Sequence, residues 1–171
     1  MHKKAIFFDR DGVLIKAPID DEKKPKSIIN VDQVELCENI NDICEFYRKD
    51  FYLIMITNQP DVSRKINTKA NVDTINNHLK KILNLNDIFV CYSSDDDCKN
   101  RKPNIGMLLE AKEKYGLDIR SCYFVGDRWR DIDAGYNFGC KTIFIDRGYN
   151  EKLNFKPDYI INSLKDIFNI I

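Results

Sequence analysis

Near its N-terminus the chain runs from an apolar segment straight into two aspartates, in the stretch AIFFDRDGVLI from Ala5 to Ile15. The short apolar run is typical of a buried strand, and Asp9 and Asp11 come directly at its end. A buried carboxylate without a compensating partner is costly or changes its pKa. Any fold that this chain adopts must therefore compensate these two charges.

Four further apolar runs end in polar residues in the same way: FYLIMITN, IFVCYS, CYFVGD and KTIFID. Helical spacing of apolar residues separates them, over residues 36–47, 72–82 and 107–115. A shorter helix is expected after GDRWRD, ending at Gly139, and SLKDIFNII is expected to end the chain as a helix. The alternation predicts an α/β fold, a doubly wound parallel sheet of five strands with helices on both faces.

Length and charge restrict the function classes. The 171 residues suit one domain, spanning residues 1–171, without repeats or a second unit. Lys and Arg together number 27 and so do Asp and Glu, so no overall field favours nucleic acid or an anionic membrane. No apolar run is long enough to span a bilayer, and the N-terminal segment is too short and polar for a signal peptide, so a cytoplasmic location is expected.

The unusual polar residues are expected to meet at one edge of the sheet, because ligands of such sheets bind beyond the carboxyl ends of the strands. Side chains two apart in an extended chain point the same way, so Asp9 and Asp11 can face one site, and Gly12 allows the backbone to turn away. Asp127 follows the fourth strand. Three carboxylates form an oxygen-rich site that suits magnesium, with Asp9, Asp11 and Asp127 as candidate ligands.

Neighbouring residues indicate phosphoryl transfer. Thr57 and Asn58 end the second strand and can hold phosphoryl oxygens, and Lys102 adds a positive charge. Asp9 is then the candidate nucleophile. Asp11 is the candidate acid and base, which protonates the leaving alkoxide and later takes a proton from water.

The segments FFDRDGVLI, MITNQ, RKP and VGDRWRDIDAG resemble, in order, the four motifs of the haloacid dehalogenase superfamily of phosphatases. The resemblance implies the same roles for Asp9 and Asp11, phosphate contacts from Thr57 and Lys102, and a magnesium ligand at Asp127. It also implies that Asp131 supports the site by hydrogen bonding rather than by touching the metal.

In finer detail the motifs resemble the capless branch that contains heptose bisphosphate and histidinol-phosphate phosphatases. Only 45 residues separate Asp11 from Thr57 and 44 separate Thr57 from Lys102, which leaves no room for a cap domain. The branch implies that Arg101 and Arg128 contact substrate. The cationic side chains favour a small phosphorylated metabolite, a sugar bisphosphate ahead of histidinol phosphate.

Many members of this branch carry a zinc loop before the RKP motif. Here the loop reads CYSSDDDCKNRKP, so Cys91 and Cys98 remain while Ser93 and Asn100 replace the other two expected ligands. Two thiolates do not make a closed four-ligand site, and zinc is therefore not expected.

Two other functions use related parts. A phosphoryl-accepting receiver module also has acidic residues, a Thr and a Lys on a doubly wound sheet, but a general acid such as Asp11 serves turnover. A nucleic-acid end phosphatase is disfavoured by the balanced charge and the lack of a basic or aromatic stripe.

Overall fold

The computed structural model describes residues 3–171. His2, which the sequence suggests is a surface residue, lies outside them. In chain order the elements are β1 (Ala5–Phe8), α1 (Ile40–Tyr47), β2 (Tyr52–Asn58), α2 (Lys69–Ile82), β3 (Asp87–Cys91), α3 (Gly106–Tyr115), β4 (Tyr123–Gly126), α4 (Trp129–Phe138), β5 (Lys141–Ile145) and β6 (Tyr159–Ile161). Short 3₁₀ segments occur at Val31–Gln33, Ile119–Ser121 and Leu164–Asn169.

The strands form one parallel sheet in the order β3-β2-β1-β4-β5-β6. The four residues of β1 are completely buried at its centre, as expected for an apolar strand covered on both faces. Successive strands are added on one side of β1 as far as β3 and on the other side from β4 onward. The crevice where this order reverses lies at the carboxyl ends of β1 and β4.

The prediction of five strands is wrong by one, because β6 adds a sixth at the edge next to β5. β6 has only three residues, and Tyr159 and Ile160 are exposed. A strand this short, with one buried residue, gives no periodic signal in the sequence.

The three helices predicted over residues 36–47, 72–82 and 107–115 are present, but α1 begins at Ile40 and not at residue 36. The Thr68 side chain accepts a hydrogen bond from the backbone N–H of Asn71 and caps α2, and α4 ends at Gly139 with φ of 89°. The predicted terminal α-helix is instead the 3₁₀ segment Leu164–Asn169. Its two buried residues, Leu164 and Ile167, are three apart, which matches the 3₁₀ repeat.

The helices cover both faces of the sheet, and the buried apolar residues form two separate clusters, as a doubly wound sheet requires. No cap domain is present in residues 3–171. Between Asp11 and β2 the chain forms one 3₁₀ turn and α1, and between β2 and Lys102 it forms α2 and β3. The carboxyl edge of the sheet is thus left open.

None of the helices in residues 3–171 has the length and apolar character of a bilayer-spanning helix.

The contact of α4 with the sheet leads to a stability prediction. A Cβ at Gly135 would lie 2.6 Å from Thr142 Cγ2, and Thr142 is fixed by hydrogen bonds with Asp158. We expect Gly135→Ala to lower the free energy of unfolding by about 1–3 kcal/mol because of overpacking, despite the better helix propensity of Ala. Urea unfolding followed by circular dichroism measures it. The control is Asn137→Ala, at an exposed position of the same helix, which should change stability by less than about 0.5 kcal/mol. Equal stabilities of the two variants would contradict this packing.

Candidate active site

The carboxyl ends of β1, β2 and β4 place the predicted residues around one cavity of about 710 Å³. Asp9 and Asp11 follow β1, Asn58 ends β2, and Lys102 precedes α3. These four line the cavity together with, among others, Arg101, Arg128 and Asp131. Thr57 is buried beneath this surface, with 1% of its area exposed. Most of the residues selected from the sequence thus meet in one place.

Lys102 is the most constrained side chain of the site. Its Nζ lies 2.8 Å from Asp9 Oδ1 and 2.6 Å from Asp131 Oδ1, and donates to the Ile56 carbonyl at 2.8 Å. Only 2% of the residue is exposed. All three ammonium hydrogens therefore have partners, which is the condition for keeping a charged lysine buried.

Asp127 is a buried carboxylate with less compensation: it forms no ion pair with a residue in 3–171, and the neighbouring Tyr149 hydroxyl lowers its pKa only in part. Both its oxygens are shielded from solvent, and neither accepts a hydrogen bond of normal geometry from residues 3–171. Gly12 has φ of 86°, and a Cβ there would lie 1.8 Å from Asp127 Oδ2, so this contact requires glycine. Buried carboxylate oxygens with so little hydrogen bonding fit a hard cation.

Oxygens of Asp9, Asp127 and Asp131 lie within 4.8 Å of one another. Asp131 is already occupied, since Oδ1 contacts Lys102 and Oδ2 accepts from the backbone N–H of Arg128 at 3.1 Å. Asp127 and the second oxygen of Asp9 are therefore the donors left for magnesium, and their chemistry fits it. The supporting role expected of Asp131 agrees with these contacts.

The three carboxylates shift one another's protonation. Burial, with repulsion from Asp131, raises the pKa of Asp9 to about 6 despite the nearby Lys102. Burial, with repulsion from Asp9 and Asp131, also raises the pKa of Asp127 well above its usual range. Burial lowers the pKa of Lys102, but the carboxylates of Asp131 and Asp9 outweigh it and raise that pKa overall. One lysine therefore does not neutralise the three carboxylates.

The side chain of Asp11, which the sequence placed among the metal ligands, lies outside this cluster. Arg10, which is fully buried, holds its carboxylate with Nη2 at 3.0 Å from Oδ2 and Nε at 3.2 Å. Gln59 Nε2 donates to the same oxygen at 2.9 Å. Because these donors fix the carboxylate at the cavity wall, it cannot join Asp9 and Asp127 without breaking them.

Thr57 and Asn58 differ in what they can offer. Thr57 Oγ1 accepts from Gln59 Nε2 at 2.9 Å, which leaves its hydroxyl hydrogen free to donate. The Asn58 amide binds the backbone of Lys102, since Nδ2 donates to its carbonyl and Oδ1 accepts from its N–H, both at 3.0 Å, and one Nδ2 hydrogen is left over. Asn58 thus fixes the position of Lys102, and because it also lines the cavity, its phosphate contact stays a prediction that rests on the second Nδ2 hydrogen.

The arginines of the cavity are paired with acids rather than free. Arg101 Nε donates to Asp96 Oδ1 at 2.9 Å, and Arg130 Nη1 lies 3.1 Å from the same oxygen. Arg128 forms two hydrogen bonds to Glu151. A ligand anion must therefore compete with a carboxylate for Arg101 and Arg128.

The loop before Lys102 does not fit a four-ligand zinc site. Cys91 Sγ and Cys98 Sγ lie 3.8 Å apart, but no Asp, Glu or His joins them as a third ligand in the part of the chain that the structure describes. Arg101 Nη1 donates to the Ser93 carbonyl, and Asn100 Nδ2 donates to Glu110. Hydrogen bonds hold the loop in place of metal ligands.

Sequence reasoning missed the supporting residues Arg10, Gln59, Asp96 and Glu151. Arg10 and Gln59 lie inside the matched segments FFDRDGVLI and MITNQ, so their place in these motifs was an available signal. Asp96 is part of an acidic run that is usually only solvated, and Glu151 lies 23 residues beyond Arg128. No local pattern indicates these last two pairings.

Comparison with known proteins places the chain among phosphatases. The family model described as HAD-hydrolase-like matches residues 99–167. The D-glycero-alpha-D-manno-heptose-1,7-bisphosphate 7-phosphatase of Photorhabdus laumondii is 33% identical over 161 residues, covering 83% of this chain and 81% of the relative.

Two further similarities bear on the fold and on the choice of substrate. The histidine biosynthesis bifunctional protein HisB of Baumannia cicadellinicola is 29% identical over 157 residues, which cover 86% of this chain and 42% of HisB. The crystal structure of D,D-heptose 1,7-bisphosphate phosphatase from B. bronchiseptica, complexed with magnesium and phosphate, aligns over 99% of both chains. Its TM-score of 0.77 at 22% identity shows a shared fold.

The charge imbalance of the cluster predicts how magnesium changes stability. Asp9 and Asp127 have higher pKa values in the folded protein than in the unfolded chain, so folding favours their protonated forms. In the presence of a chelator, the protein should therefore lose stability as the pH rises from about 4 through about 6. Asp127→Asn removes one buried charge and should raise the melting temperature at pH 7.5 in chelator. Millimolar magnesium should raise the melting temperature of the wild type, because a hundredfold excess over Kd adds about 2.7 kcal/mol to the free energy of unfolding, and should leave the melting temperature of the variant unchanged.

Thermal unfolding with chelator or magnesium measures both effects. Asp61→Asn is the matched control, because Asp61 lines the same cavity outside the cluster and its variant should keep the full magnesium response. A magnesium response that persists in Asp127→Asn would contradict the assignment.

Proposed function

Since the chain belongs to the haloacid dehalogenase superfamily of phosphatases, we propose that it hydrolyses a sugar bisphosphate through an aspartyl-phosphate on Asp9, with magnesium as cofactor. The observation that carries the proposal is the position of Asp9. Its carboxylate lies 2.8 Å from the Lys102 ammonium and within 4.8 Å of an oxygen of Asp127, at the wall of an open cavity.

Asp9 acts as nucleophile in this proposal. One of its oxygens attacks phosphorus, the bond from phosphorus to the ester oxygen breaks, and Asp11 gives its proton to the leaving alkoxide. Water then attacks the aspartyl-phosphate while Asp11 takes a proton from that water. Inorganic phosphate leaves and the Asp9 carboxylate is restored.

The surrounding side chains hold the transferring group. Lys102 is positioned by Asp131 and by Asn58, and it faces Asp9 from 2.8 Å, so its charge lies where the phosphoryl group must bind. Thr57 contributes its free hydroxyl hydrogen. Asp127 and Asp9 would hold magnesium, which would supply the positive charge that lets a carboxylate approach a phosphate dianion.

Arg10 and Gln59 are positioning residues for Asp11. They fix its carboxylate on the cavity that Asp9 also lines, and so keep the acid beside the nucleophile and out of the cluster of metal donors. A receiver module only holds a phosphoryl group and has no use for such a fixed acid. The arrangement therefore supports turnover.

The choice of a sugar bisphosphate rests on the cationic cavity and on the relatives. Arg64, Arg101, Arg128 and Arg130 line it together with Lys26, which forms no ion pair with any other residue in 3–171. A second phosphate suits these donors better than the ammonium and imidazole of histidinol phosphate. Histidinol phosphate stays a second candidate because of the similarity to HisB.

Replacing either aspartate tests the chemistry. Asp9→Asn should lower kcat by about a thousandfold or more, because an amide cannot form the acyl phosphate. Asp11→Asn should lower kcat most on sugar phosphates, where both steps need Asp11, and less on an aryl phosphate, where only hydrolysis of the aspartyl-phosphate needs it. Phosphate release over sugar mono- and bisphosphates, histidinol phosphate and an aryl phosphate measures this.

The matched control is Asp61→Asn, in the same cavity and outside the reacting groups, which should keep its kcat on the aryl phosphate. Asp9→Asn retaining a tenth of the wild-type rate would remove Asp9 as nucleophile.

A second test concerns the remote part of the substrate. Arg101→Ala should lower kcat/KM for a bisphosphate by about ten- to a hundredfold more than for an aryl phosphate, as expected for one charge-assisted contact. Asp96→Asn leaves Arg101 in place but removes its competing carboxylate, so bisphosphate binding should be kept or improved.

The pair of variants separates two roles of Arg101. An equal loss on both substrates would mean that Arg101 serves only the transferring phosphate. An equal loss for Asp96→Asn and Arg101→Ala on the bisphosphate would mean that Arg101 only anchors the loop.

A further inference from the structure

The segment from Cys91 to Asn104, named here the cysteine loop, connects the end of β3 to the residues before α3. Its two thiols are brought together without a third ligand, with Cys91 Sγ and Cys98 Sγ 3.8 Å apart. Neither thiol is used in the proposed phosphatase chemistry. A pair of sulfurs at this distance is close enough to bond, but the loop that carries Cys98 must move towards Cys91 for the bond to form.

We propose that Cys91 and Cys98 are a redox-active pair, which a peroxide oxidises to a disulfide and thiols reduce again, and that the disulfide alters the position of Arg101.

The two cysteines differ as an attacking and a resolving thiol must. Cys98 is partly exposed, whereas Cys91 is 3% exposed at the strand end. The backbone N–H of Asn100 holds the pKa of Cys98 below its usual value, with help from Cys91 and Arg101, while burial raises the pKa of Cys91. Cys98 is therefore the thiolate that meets the oxidant first.

The chemistry balances with hydrogen peroxide as oxidant. The Cys98 thiolate takes one oxygen from the peroxide, which releases hydroxide and leaves a sulfenic acid. The Cys91 sulfur then attacks Cys98 sulfur, its proton joins the departing hydroxide as water, and the disulfide forms. Reduction by an external dithiol returns two electrons and two protons.

The other four cysteines are poor competitors, because each is at most 7% exposed. Burial raises the pKa of Cys37 to about 11, of Cys44 to about 12 and of Cys122 to about 11, and it also raises that of Cys140. Oxidation at low peroxide should be confined to the cysteine loop.

The disulfide acts on the active site through Arg101. The sulfur separation must shorten from 3.8 Å to about 2.05 Å. The Cys98 carbonyl accepts from the backbone N–H of Arg101 at 2.9 Å and from Asn104 Nδ2 at 3.0 Å, so movement of Cys98 is passed to Arg101. The Arg101 side chain is bound to the same loop through Ser93 and Asp96.

The first test is independent of any activity. The full chain is treated with a small excess of hydrogen peroxide, alkylated and mapped by mass spectrometry. The wild type should lose two free thiols and two hydrogens per chain, with Cys91 linked to Cys98, and dithiothreitol should reverse it. Cys98→Ser should form no disulfide, Cys91→Ser should accumulate a sulfenic acid trapped by dimedone, and the control Cys37→Ser should behave as wild type.

The second test, which rests on the proposed function, compares kinetics of the oxidised and reduced enzyme. Oxidation should raise KM for a sugar bisphosphate by about tenfold, as for weakening one charge-assisted contact, and change kcat/KM for an aryl phosphate by less than about twofold. Cys98→Ser should lose the peroxide effect. Equal kinetics of the oxidised and reduced forms on the bisphosphate would overturn the coupling to Arg101.

Mass mapping separates failure of this inference from failure of the proposed substrate. If a bisphosphate is not hydrolysed but the disulfide forms, the substrate assignment fails and the redox pair stands. Absence of the disulfide, or one tightly held zinc per chain that protects both thiols, would overturn the pair itself.

Discussion

The site depends on one buried ion, the ammonium of Lys102. It is enclosed by Asp9, Asp131 and the Ile56 carbonyl, and its backbone is fixed by Asn58. Removing one partner of such a buried group typically costs about 3–5 kcal/mol, because the other is left unpaired. The same contacts that stabilise Lys102 therefore place the nucleophile, so stability and catalysis share one network.

This network carries more negative than positive charge. One ammonium faces three carboxylates, and the Tyr149 hydroxyl, which lowers the pKa of Asp127 only in part, brings no charge. Burial raises the pKa of Asp9 to about 6, with Asp131 adding to it, so the cluster gains from a cation that neutralises it. The charge of Asp9 at the end of the apolar run is thus compensated by Lys102 and, in our proposal, also by magnesium.

The local sequence pattern was sufficient to predict which residues end the central strands, but not which charged side chains pair with one another. The buried strands of β1, β2 and β4 have clear apolar runs, so the sequence placed Asp9, Asn58 and Asp127 correctly at one sheet edge. It could not predict β6, whose exposed residues give no period, nor the pairing of Asp96 with two arginines. It also placed the Asp11 side chain among the metal donors, because the hold of Arg10 on that carboxylate depends on tertiary packing. Pairing of charged side chains across loops is decided by distance in the fold and leaves no periodic signal.

The central claim is covalent transfer to Asp9, and trapping the intermediate tests it most directly. The Asp11→Asn variant is mixed with a phosphorus-labelled aryl phosphate, whose leaving group needs no acid, in the presence of magnesium, and is quenched in acid. Because the second step lacks its base, label should accumulate towards one per chain and map to the peptide that contains Asp9. Release of labelled phosphate with no label on the protein, or label on another residue, would contradict the account.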